Sequence, residues 1–500
     1  MITRKELSTS LLDKVYEKTQ SQKLNIKTKH ASFTADGSDN VNKEPVVNYM
    51  IKVGREMFFE ETVHTKTISH TAENLADDFE RLIAKSTPDG SECSGLTTDN
   101  CSTMQKLWGI IHKKHPRMFC QGDPCHALHL LIQDITKRIT WMQPLISVIS
   151  DLIQFTFRHH KVLMQLREKC KNGNKRGLVK TCPTRWGQVL RSLESVLLNY
   201  DNLFDIFNHQ DFICGDRQQK ERRQEVRNII NKDSLCYELK KAITIFEPFV
   251  KAILHFESDA SPISDVYHVF GTLSKSVDKF NSTITTVEKT AIKECIKERL
   301  KFLYAISHGV SYLLDPRYLG DAMDDVTYEN VFDYIAYKYP YKCTDADRDA
   351  SAELTDFLNK FKDAREESPH KLNIFQKAKD TDPFPQVTLY EYWKSMSDKR
   401  WTHLKEIALM VFSLCTTSAS CERSFSNQGH VHSKLRNRLD DDRVQKLLFC
   451  YHNLRQLLYK RKRDYDDEEE FDGADFPDDD DADDADDKND DGVVTADAEG

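Results

Sequence analysis

The stretch HASFTADGSDNVNKEPVVNYMIKVGREMFFEETVH, residues 30–64, contains three short runs rich in Val, Ile, Phe and Thr, separated by polar or glycine-containing turns. This pattern predicts three consecutive β-strands. Residues 71–86 then place apolar side chains at helical spacing behind a threonine suited to an N-cap. SGLTTDN (94–100) predicts a buried strand, and a further helix and strand precede a long helical run from His126. The order strand–strand–strand–helix–strand–helix–strand–helix indicates a mixed α/β fold.

Charge is divided unevenly along the chain. The whole chain carries −9 at neutral pH, but residues 464–500 contain 20 acidic residues and one lysine, which leaves 70 basic and 60 acidic residues in 1–463. A basic body suits a protein that binds nucleic acid. The acidic segment cannot bury a core and is predicted to be disordered. It is either a solubilising tail or a DNA mimic that competes for the basic body or binds histones.

Composition argues against several classes of protein. No run of eighteen apolar residues predicts a membrane span, and the N-terminus lacks the apolar core of a signal peptide. The 13 cysteines are scattered and none forms a CxxC pair, which favours reduced thiols in the cytosol or nucleus. We therefore predict no membrane partner.

Three carboxylates occupy positions suited to phosphodiester chemistry. Asp36 is predicted at the end of the first strand, Asp99 at the end of a later strand, and Glu422 near a helix start. DNA cleavage and strand transfer use two divalent cations roughly 3.5–4 Å apart, and Mg²⁺ prefers oxygen ligands. Because aspartates at strand ends more often belong to turns, a catalytic role for these residues depends on the sequence that surrounds them.

The segment from Cys421 to Arg455, CERSFSNQGHVHSKLRNRLDDDRVQKLLFCYHNLR, is similar to the C-terminal dimerisation segment of hAT transposases. That segment begins with a Ser/Ala-x-Glu-Arg-x-Phe/Trp-Ser word and has Lys-x-Arg-Asn-Arg-Leu at its middle. The residues that match are Glu422, Arg423, Phe425, Ser426, Lys434, Arg436, Asn437, Arg438 and Leu439.

Other segments resemble the same family in the same order, over roughly residues 28–456. FTADGSDNVNKEPVVNYMI resembles the first catalytic strand and its hairpin, and TTDNCSTM resembles the word of the second aspartate. CHALHLLIQDI resembles the helix of the motif histidine, here His126, and PTRWGQVLRSLESVL resembles the word before a helical insertion. The chain departs from the family at Ser38, where Trp is usual, and at Asp123, where Cys is usual. Residues 1–28 also lack the family's zinc-binding finger.

The resemblance implies a ribonuclease-H-like mixed sheet interrupted by a large all-α insertion, with a disordered acidic C-terminal tail. Three consecutive strands followed by crossover units fit this arrangement. The domains expected are a helical N-terminal remnant (1–28), the first part of the core (29–186), the helical insertion (187–400), core completion with the dimerisation segment (401–460), and the tail (464–500).

The resemblance also assigns roles to single residues. Asp36, Asp99 and Glu422 would form a DDE triad that binds two Mg²⁺ or Mn²⁺ ions, and His126 would either assist there or serve as a structural hydrogen-bond partner. The expected DNA contacts are Arg185, Trp186, Lys434, Arg436 and Arg438. For Trp186, the two alternatives are stacking on an unpaired base and burial as an anchor between core and insertion. The apolar face expected to form a dimer surface, and in part to pack in the core, consists of Val444, Leu447, Leu448, Tyr451 and Leu454.

Two functions follow from these expectations. The first is a nuclear transposase of DDE type that cleaves and joins DNA and works as a homodimer or higher homo-oligomer. The basic run KRKR at 460–463 is a short nuclear-import candidate. The second is a domesticated, non-catalytic nuclear protein that binds DNA or chromatin and dimerises through its C-terminal segment. The three carboxylates favour the first function, and the missing finger and the acidic tail favour the second.

Overall fold

The computed structural model describes residues 9–24, 30–40, 43–64, 71–87, 92–182, 185–258, 260–342, 349–367, 387–396, 401–431 and 440–465. Contacts group the chain up to Gln456 into one compact unit. From residue 466 onward, the predicted acidic tail lies outside the described residues. No helix in the described part of the chain has both the length and the hydropathy needed to cross a membrane.

The first third of the chain contains a five-stranded mixed sheet. The strands are β1 (His30–Asp39), β2 (Pro45–Val53), β3 (Glu56–His64), β4 (Glu92–Thr98) and β5 (Phe119–Gly122), in the order β3-β2-β1-β4-β5. The first three form an antiparallel meander, whereas β4 pairs parallel with β1 and β5 pairs parallel with β4. The predicted mixed α/β class and the predicted order of strands and helices up to residue 138 are confirmed.

Helices account for most of the other described residues. They are α1 (Ser10–Leu24), α2 (Ala72–Ser86), α3 (Ser102–Lys114), α4 (Pro124–Arg138), α5 (Met142–Arg158), α6 (His160–Asn172), α7 (Trp186–Leu198), α8 (Tyr200–Asn208), α9 (Arg217–Ile230), α10 (Leu235–Phe256), α11 (Ser264–Asp278), α12 (Thr286–Leu303), α13 (Ile306–Leu314), α14 (Asp325–Asp333), α15 (Ala350–Glu367), α16 (Leu389–Ser395), α17 (Thr402–Phe412), α18 (Ala419–Val431) and α19 (Asp441–Tyr465). A 3₁₀ turn (Gln210–Phe212) and a π-helical turn (Tyr334–Lys338) complete the set.

Local sequence signals explain several helix starts. Thr71 caps α2 by accepting a hydrogen bond from the Asn74 N–H, as its position in the sequence predicts. Thr285 and Glu288 form a reciprocal capping box at the start of α12. The helices from α4 to α12 then bury one continuous apolar cluster, and those from α13 to α17 bury a second that includes Phe119 of β5.

Close packing at the sheet requires glycine at one position of β4. A Cβ on Gly95 would lie 1.9 Å from the carbonyl oxygen of Phe119 and 2.6 Å from a methyl group of Leu414. The first distance is to backbone, which cannot move aside. Gly95 therefore allows β5 and the chain after α17 to approach β4 together.

Residues 413–418, here called the crossing segment, run buried between α17 and α18 and contact adjacent strands of the sheet. Ser32 of β1 donates a hydrogen bond to the carbonyl of Ser413 (2.8 Å). Thr97 of β4 (2.6 Å) and Gln121 of β5 (2.9 Å) both donate to the carbonyl of Cys415. Buried carbonyls of an irregular segment need such partners, so these polar side chains fix its path. The crossing segment thereby brings the C-terminal part of the chain back to the sheet.

Candidate active site

Two of the predicted carboxylates stand at the same level of adjacent parallel strands. Thr34 of β1 is paired with Thr97 of β4, and Asp36 and Asp99 each follow two residues later. Both therefore lie at the carboxyl edge of the sheet, where side chains from parallel strands meet. Asp36 is partly buried within β1, three residues before the last residue of the strand, and Asp99 comes directly after β4.

The third carboxylate reaches this edge through the crossing segment. Glu422 lies in the first turn of α18, where its N–H donates to the carbonyl of Ser418 (3.3 Å). The helix is held on β2 because Asn48 donates to the buried hydroxyl of Ser424 (2.7 Å). An acidic side chain in a first helical turn is favoured by the helix dipole.

The three carboxylates influence one another electrostatically. Burial, followed by the charges of Asp99 and Glu422, raises the pKa of Asp36 to about 7. Glu422 is exposed, yet desolvation by its surroundings and the charges of Asp123, Glu257 and Asp99 raise its pKa to about 7 as well. Crowded carboxylates of this kind bind protons or cations because either relieves their repulsion.

The arrangement is more open than a ligand set for a single ion. The ligand atoms of Asp36, Asp99 and Glu422 are not all within 4.8 Å of one another, although all three belong to the described part of the chain. His126, in the first turn of α4, stands beside them with Nδ1 3.5 Å from Oδ1 of Asp99.

Asp123 is a fourth carboxylate that the sequence analysis noted only as a departure from the family. It is 1% exposed and caps α4, accepting a hydrogen bond from the Cys125 N–H (2.7 Å). Its other oxygen accepts from the N–H (3.2 Å) and the hydroxyl of Ser418. Asp123 thus joins the start of α4, which carries His126, to the segment that carries Glu422. The Asp123–Pro124 pair is a recognisable helix start, but nothing local predicted the bond to Ser418.

Glu257 is a second carboxylate that the sequence analysis missed. It follows α10 directly, is exposed, and helps to raise the pKa of Glu422. The backbone carbonyl of Glu257 accepts a hydrogen bond from Arg423 (2.9 Å). The chain directly after α10 therefore contacts the same turn of α18 that presents Glu422.

In metal-free buffer, Asp36→Asn is expected to stabilise the protein by about 1–3 kcal/mol at pH 8. The pKa of Asp36 is about 7 in the folded protein, whereas the ordinary pKa of an aspartate is 3.8. Between these two pH values the folded protein keeps a proton on Asp36 that the unfolded chain has lost. The contribution of Asp36 to stability therefore falls as pH rises from about 4 to about 7. Asparagine removes that loss, and urea denaturation at pH 8 and pH 4 measures it.

The matched control is Asp39→Asn, which changes an exposed carboxylate on the same strand. It is expected to leave stability nearly unchanged at both pH values. A gain for Asp36→Asn that is as large at pH 4 as at pH 8 would show that the effect is not electrostatic.

Trp186 is buried and is not available to a base. The side chain is 8% exposed, packs against Phe246 with ring centroids 5.7 Å apart, and donates its indole N–H to the carbonyl of His129 (3.1 Å). The structure therefore supports the anchor and not the stacking role that the sequence left open. Arg185, next to it, is exposed at the start of α7. The other predicted DNA contacts, Lys434, Arg436 and Arg438, lie outside the described residues.

The predicted dimer face on α19 is divided between the chain's own core and the surface. Val444 (3% exposed) and Leu448 (0%) pack with Met50, Met57 and Phe59 of the sheet. These two therefore take the core-packing role that the sequence analysis expected for part of this face, because apolar side chains on the sheet cover them. Tyr451 is 46% exposed, and Leu447 and Leu454 are half-buried.

Family comparisons cover both parts of the carboxylate site. Residues 366–454 match the hAT family C-terminal dimerisation region, which includes the crossing segment and Glu422. Residues 2–154 match a domain of unknown function (DUF659), a hAT-associated region that includes Asp36, Asp99 and His126. No curated protein matches the chain. Together the two family matches support a hAT-family transposase or a protein derived from one.

Proposed function

We propose that this protein is an active DNA transposase of DDE type, with a ribonuclease-H-like core in which Asp36, Asp99 and Glu422 are the catalytic carboxylates. The observation that carries the proposal is the convergence of these carboxylates from three separate elements. Burial and then the charges of Asp99 and Glu422 raise the pKa of Asp36 to about 7, and burial and then the charges of Asp123, Glu257 and Asp99 raise that of Glu422 to about 7. A purely structural role would not require three carboxylates to converge at one edge of a sheet. The sheet order, with an antiparallel meander followed by parallel crossovers, supports the proposed core.

The donor atoms fit divalent magnesium or manganese. Asp36, Asp99 and Glu422 offer hard carboxylate oxygens, the ligands that these ions prefer. The chemistry that such ions supply when bound is activation of the attacking oxygen and stabilisation of the leaving oxygen.

The chain's own residues would hold and orient this centre. Asp36 keeps one oxygen fixed through the Gly37 N–H (2.8 Å). Asp123 sets the position of the turn that presents Glu422 through its bonds to Ser418. His126, 3.5 Å from Asp99, is placed to orient that carboxylate or to exchange a proton with a nearby phosphate oxygen.

A basic stretch of the chain supports DNA as the substrate. Residues 158–191, here called the basic segment, contain ten lysines and arginines and one acidic residue. Most of these cations are exposed, and Lys169 pairs with Asp205. The exposed ones are Arg158, Lys161, Arg167, Lys171, Arg176, Lys180, Arg185 and Arg191. Clustered cations of this kind contact the phosphate backbone without reading sequence. The clustering is visible in the sequence, although only Arg185 was singled out from it.

The assembly proposed is a nuclear homodimer or higher homo-oligomer. The match of residues 366–454 to a dimerisation region supports self-association. The exposed Tyr451 and half-buried Leu447 and Leu454 on α19 are the remaining candidates for that contact. The KRKR run at 460–463 supports nuclear import.

Titration calorimetry with Mn²⁺ on a chain ending at Arg463 tests the proposal. The truncation removes the acidic tail, which would itself collect divalent ions. We expect Asp99→Asn and Glu422→Gln each to weaken binding at the triad by about 100-fold, because each removes a charged ligand. Glu194→Gln, at an exposed position of α7, is the control and should bind as the wild type does.

Equal Mn²⁺ binding by wild type and both triad variants would contradict the catalytic proposal. The protein would then be a transposase-derived protein without transposase chemistry, which is the second function considered. In that case a dimer that holds DNA or chromatin would remain, because neither α19 nor the basic segment depends on the triad.

A further inference from the structure

We propose that Glu44, His64 and Asp441 form a second metal site, which binds a divalent transition-metal ion such as Zn²⁺ and fastens the start of α19 to the β-sheet. Their ligand atoms all lie within 4.8 Å of one another, and all three side chains are half-buried. The three come from the turn after β1, the end of β3 and the first turn of α19. None belongs to the carboxylate site described above.

Glu44 is fixed in position before any ion binds. Asn40, which is 7% exposed, accepts a hydrogen bond from the Glu44 N–H (2.9 Å) and donates one from its amide to Oε2 of Glu44 (2.8 Å). The Asn40 N–H also donates to the Glu44 carbonyl (2.9 Å). These bonds occupy one carboxylate oxygen and hold the side chain, which lowers the entropic cost of ligation.

His64 directs a buried nitrogen toward the site. Its side chain is 16% exposed, and Nδ1 is fully buried with no hydrogen-bond partner among the described residues. The closest carboxylate oxygen is Oδ2 of Asp441, 3.8 Å away. A hydrogen bond needs about 2.7–3.2 Å, so this pair is too far apart to satisfy the nitrogen. An unpaired buried nitrogen costs free energy that a metal ion would recover.

The three consecutive aspartates before α19 divide their roles. Asp440 caps the helix by accepting a hydrogen bond from the Arg443 N–H (2.9 Å). Asp442 pairs with Lys446 (2.9 Å). Asp441 alone of the three is turned toward His64. Its negative charge also offsets the unfavourable approach of a cation to the positive end of a helix dipole.

The distances fit ligands that share one ion. Zinc binds imidazole nitrogen and carboxylate oxygen at about 2.0–2.2 Å in tetrahedral sites, so two ligand atoms lie roughly 3.4 Å apart. The 3.8 Å between His64 and Asp441 is close to this spacing. The widest pair, at up to 4.8 Å, has to close by about 1.4 Å when the ion binds. One imidazole and two carboxylates favour Zn²⁺ or a similar transition metal over Mg²⁺, which prefers oxygen ligands alone.

The site would act on the helix that the dimerisation match includes. Asp441 opens α19, and three residues later Val444 enters the core beside Met57 and Phe59. A bound ion would therefore hold the start of α19 against the end of β3. This inference does not depend on the proposed transposase chemistry.

The full chain titrated with Co²⁺ provides the test, because cobalt in a site of low coordination number with a nitrogen ligand absorbs visible light far more strongly than cobalt bound by six oxygens. Neither the acidic tail nor an all-carboxylate centre gives such a band. We expect a band at one equivalent that Zn²⁺ abolishes. His64→Ala should lower the affinity by about 100-fold. Asp441→Asn should also weaken binding. This substitution keeps the size of the side chain, which is 40% exposed, so it tests the site even if His64→Ala fails to fold.

His112→Ala, at an exposed histidine on α3, is the control and should keep the band. Absence of the band from the wild type would overturn the proposal. So would a band that survives His64→Ala and Asp441→Asn but is lost in Asp99→Asn, because the ion would then belong to the triad with His126.

Discussion

Glu422→Gln is expected to reduce metal-dependent cleavage of DNA by at least about 1,000-fold, which corresponds to about 4 kcal/mol of lost transition-state stabilisation. The change keeps the shape of the side chain and removes the charge that, with Asp36 and Asp99, would bind metal ions. The Arg423 bond to the carbonyl of Glu257 does not involve the Glu422 carboxylate, so α18 should keep its place. Nicking of supercoiled plasmid in Mn²⁺ measures the loss without knowledge of the preferred DNA sequence.

The same assay distinguishes loss of chemistry from loss of binding. Glu422→Gln should bind DNA at least as tightly as the wild type, because one negative charge near the phosphates is gone. Glu194→Gln should nick at the wild-type rate. If Glu422→Gln nicks as fast as the wild type while Mn²⁺ is still required, the activity does not arise from this triad.

Asp123→Ala is expected to lower the free energy of unfolding by about 2–4 kcal/mol. The substitution removes the cap of α4 and leaves the N–H and hydroxyl of the buried Ser418 without their acceptor. Burial raises the pKa of Asp123, so this carboxyl also costs free energy to ionise, and that cost offsets part of the loss. Urea denaturation at pH 7 measures the difference.

A matched control exists at another helix start. Asp216 caps α9 through the Gln219 N–H (2.8 Å) but is exposed. Asp216→Ala should therefore cost only about 1 kcal/mol, the usual value of a surface cap. Equal losses for the two substitutions would show that the bond from Asp123 to Ser418 contributes little. A larger loss for Asp123→Ala should be accompanied by slower DNA cleavage, because the turn that carries Glu422 is then held less firmly.

Local sequence predicted which strands and helices carry the site residues better than it predicted the contacts between those residues. The strand that carries Asp36, the strand end at Asp99 and the helix start at Glu422 were all expected from patterns within a few residues, and the structure has them there. The role of Asp123 could be read only as a helix cap, because its second partner, Ser418, is distant in sequence. For Trp186 and α19, periodicity showed an apolar side chain but could not say whether the chain or a partner covers it.

The sequence by itself determined the order of strands and helices up to residue 138, the helix cap at Thr71, the uneven charge and the resemblance to the hAT family. These properties depend on neighbouring residues, on composition or on short words, so they can be read without coordinates. Only the tertiary structure decided which side chains meet. The crossing segment brings Glu422 to the edge where Asp36 and Asp99 lie, because Ser32, Thr97 and Gln121 satisfy its buried carbonyls from three strands. Such long-range pairing depends on how the whole chain packs, and no local pattern specifies it.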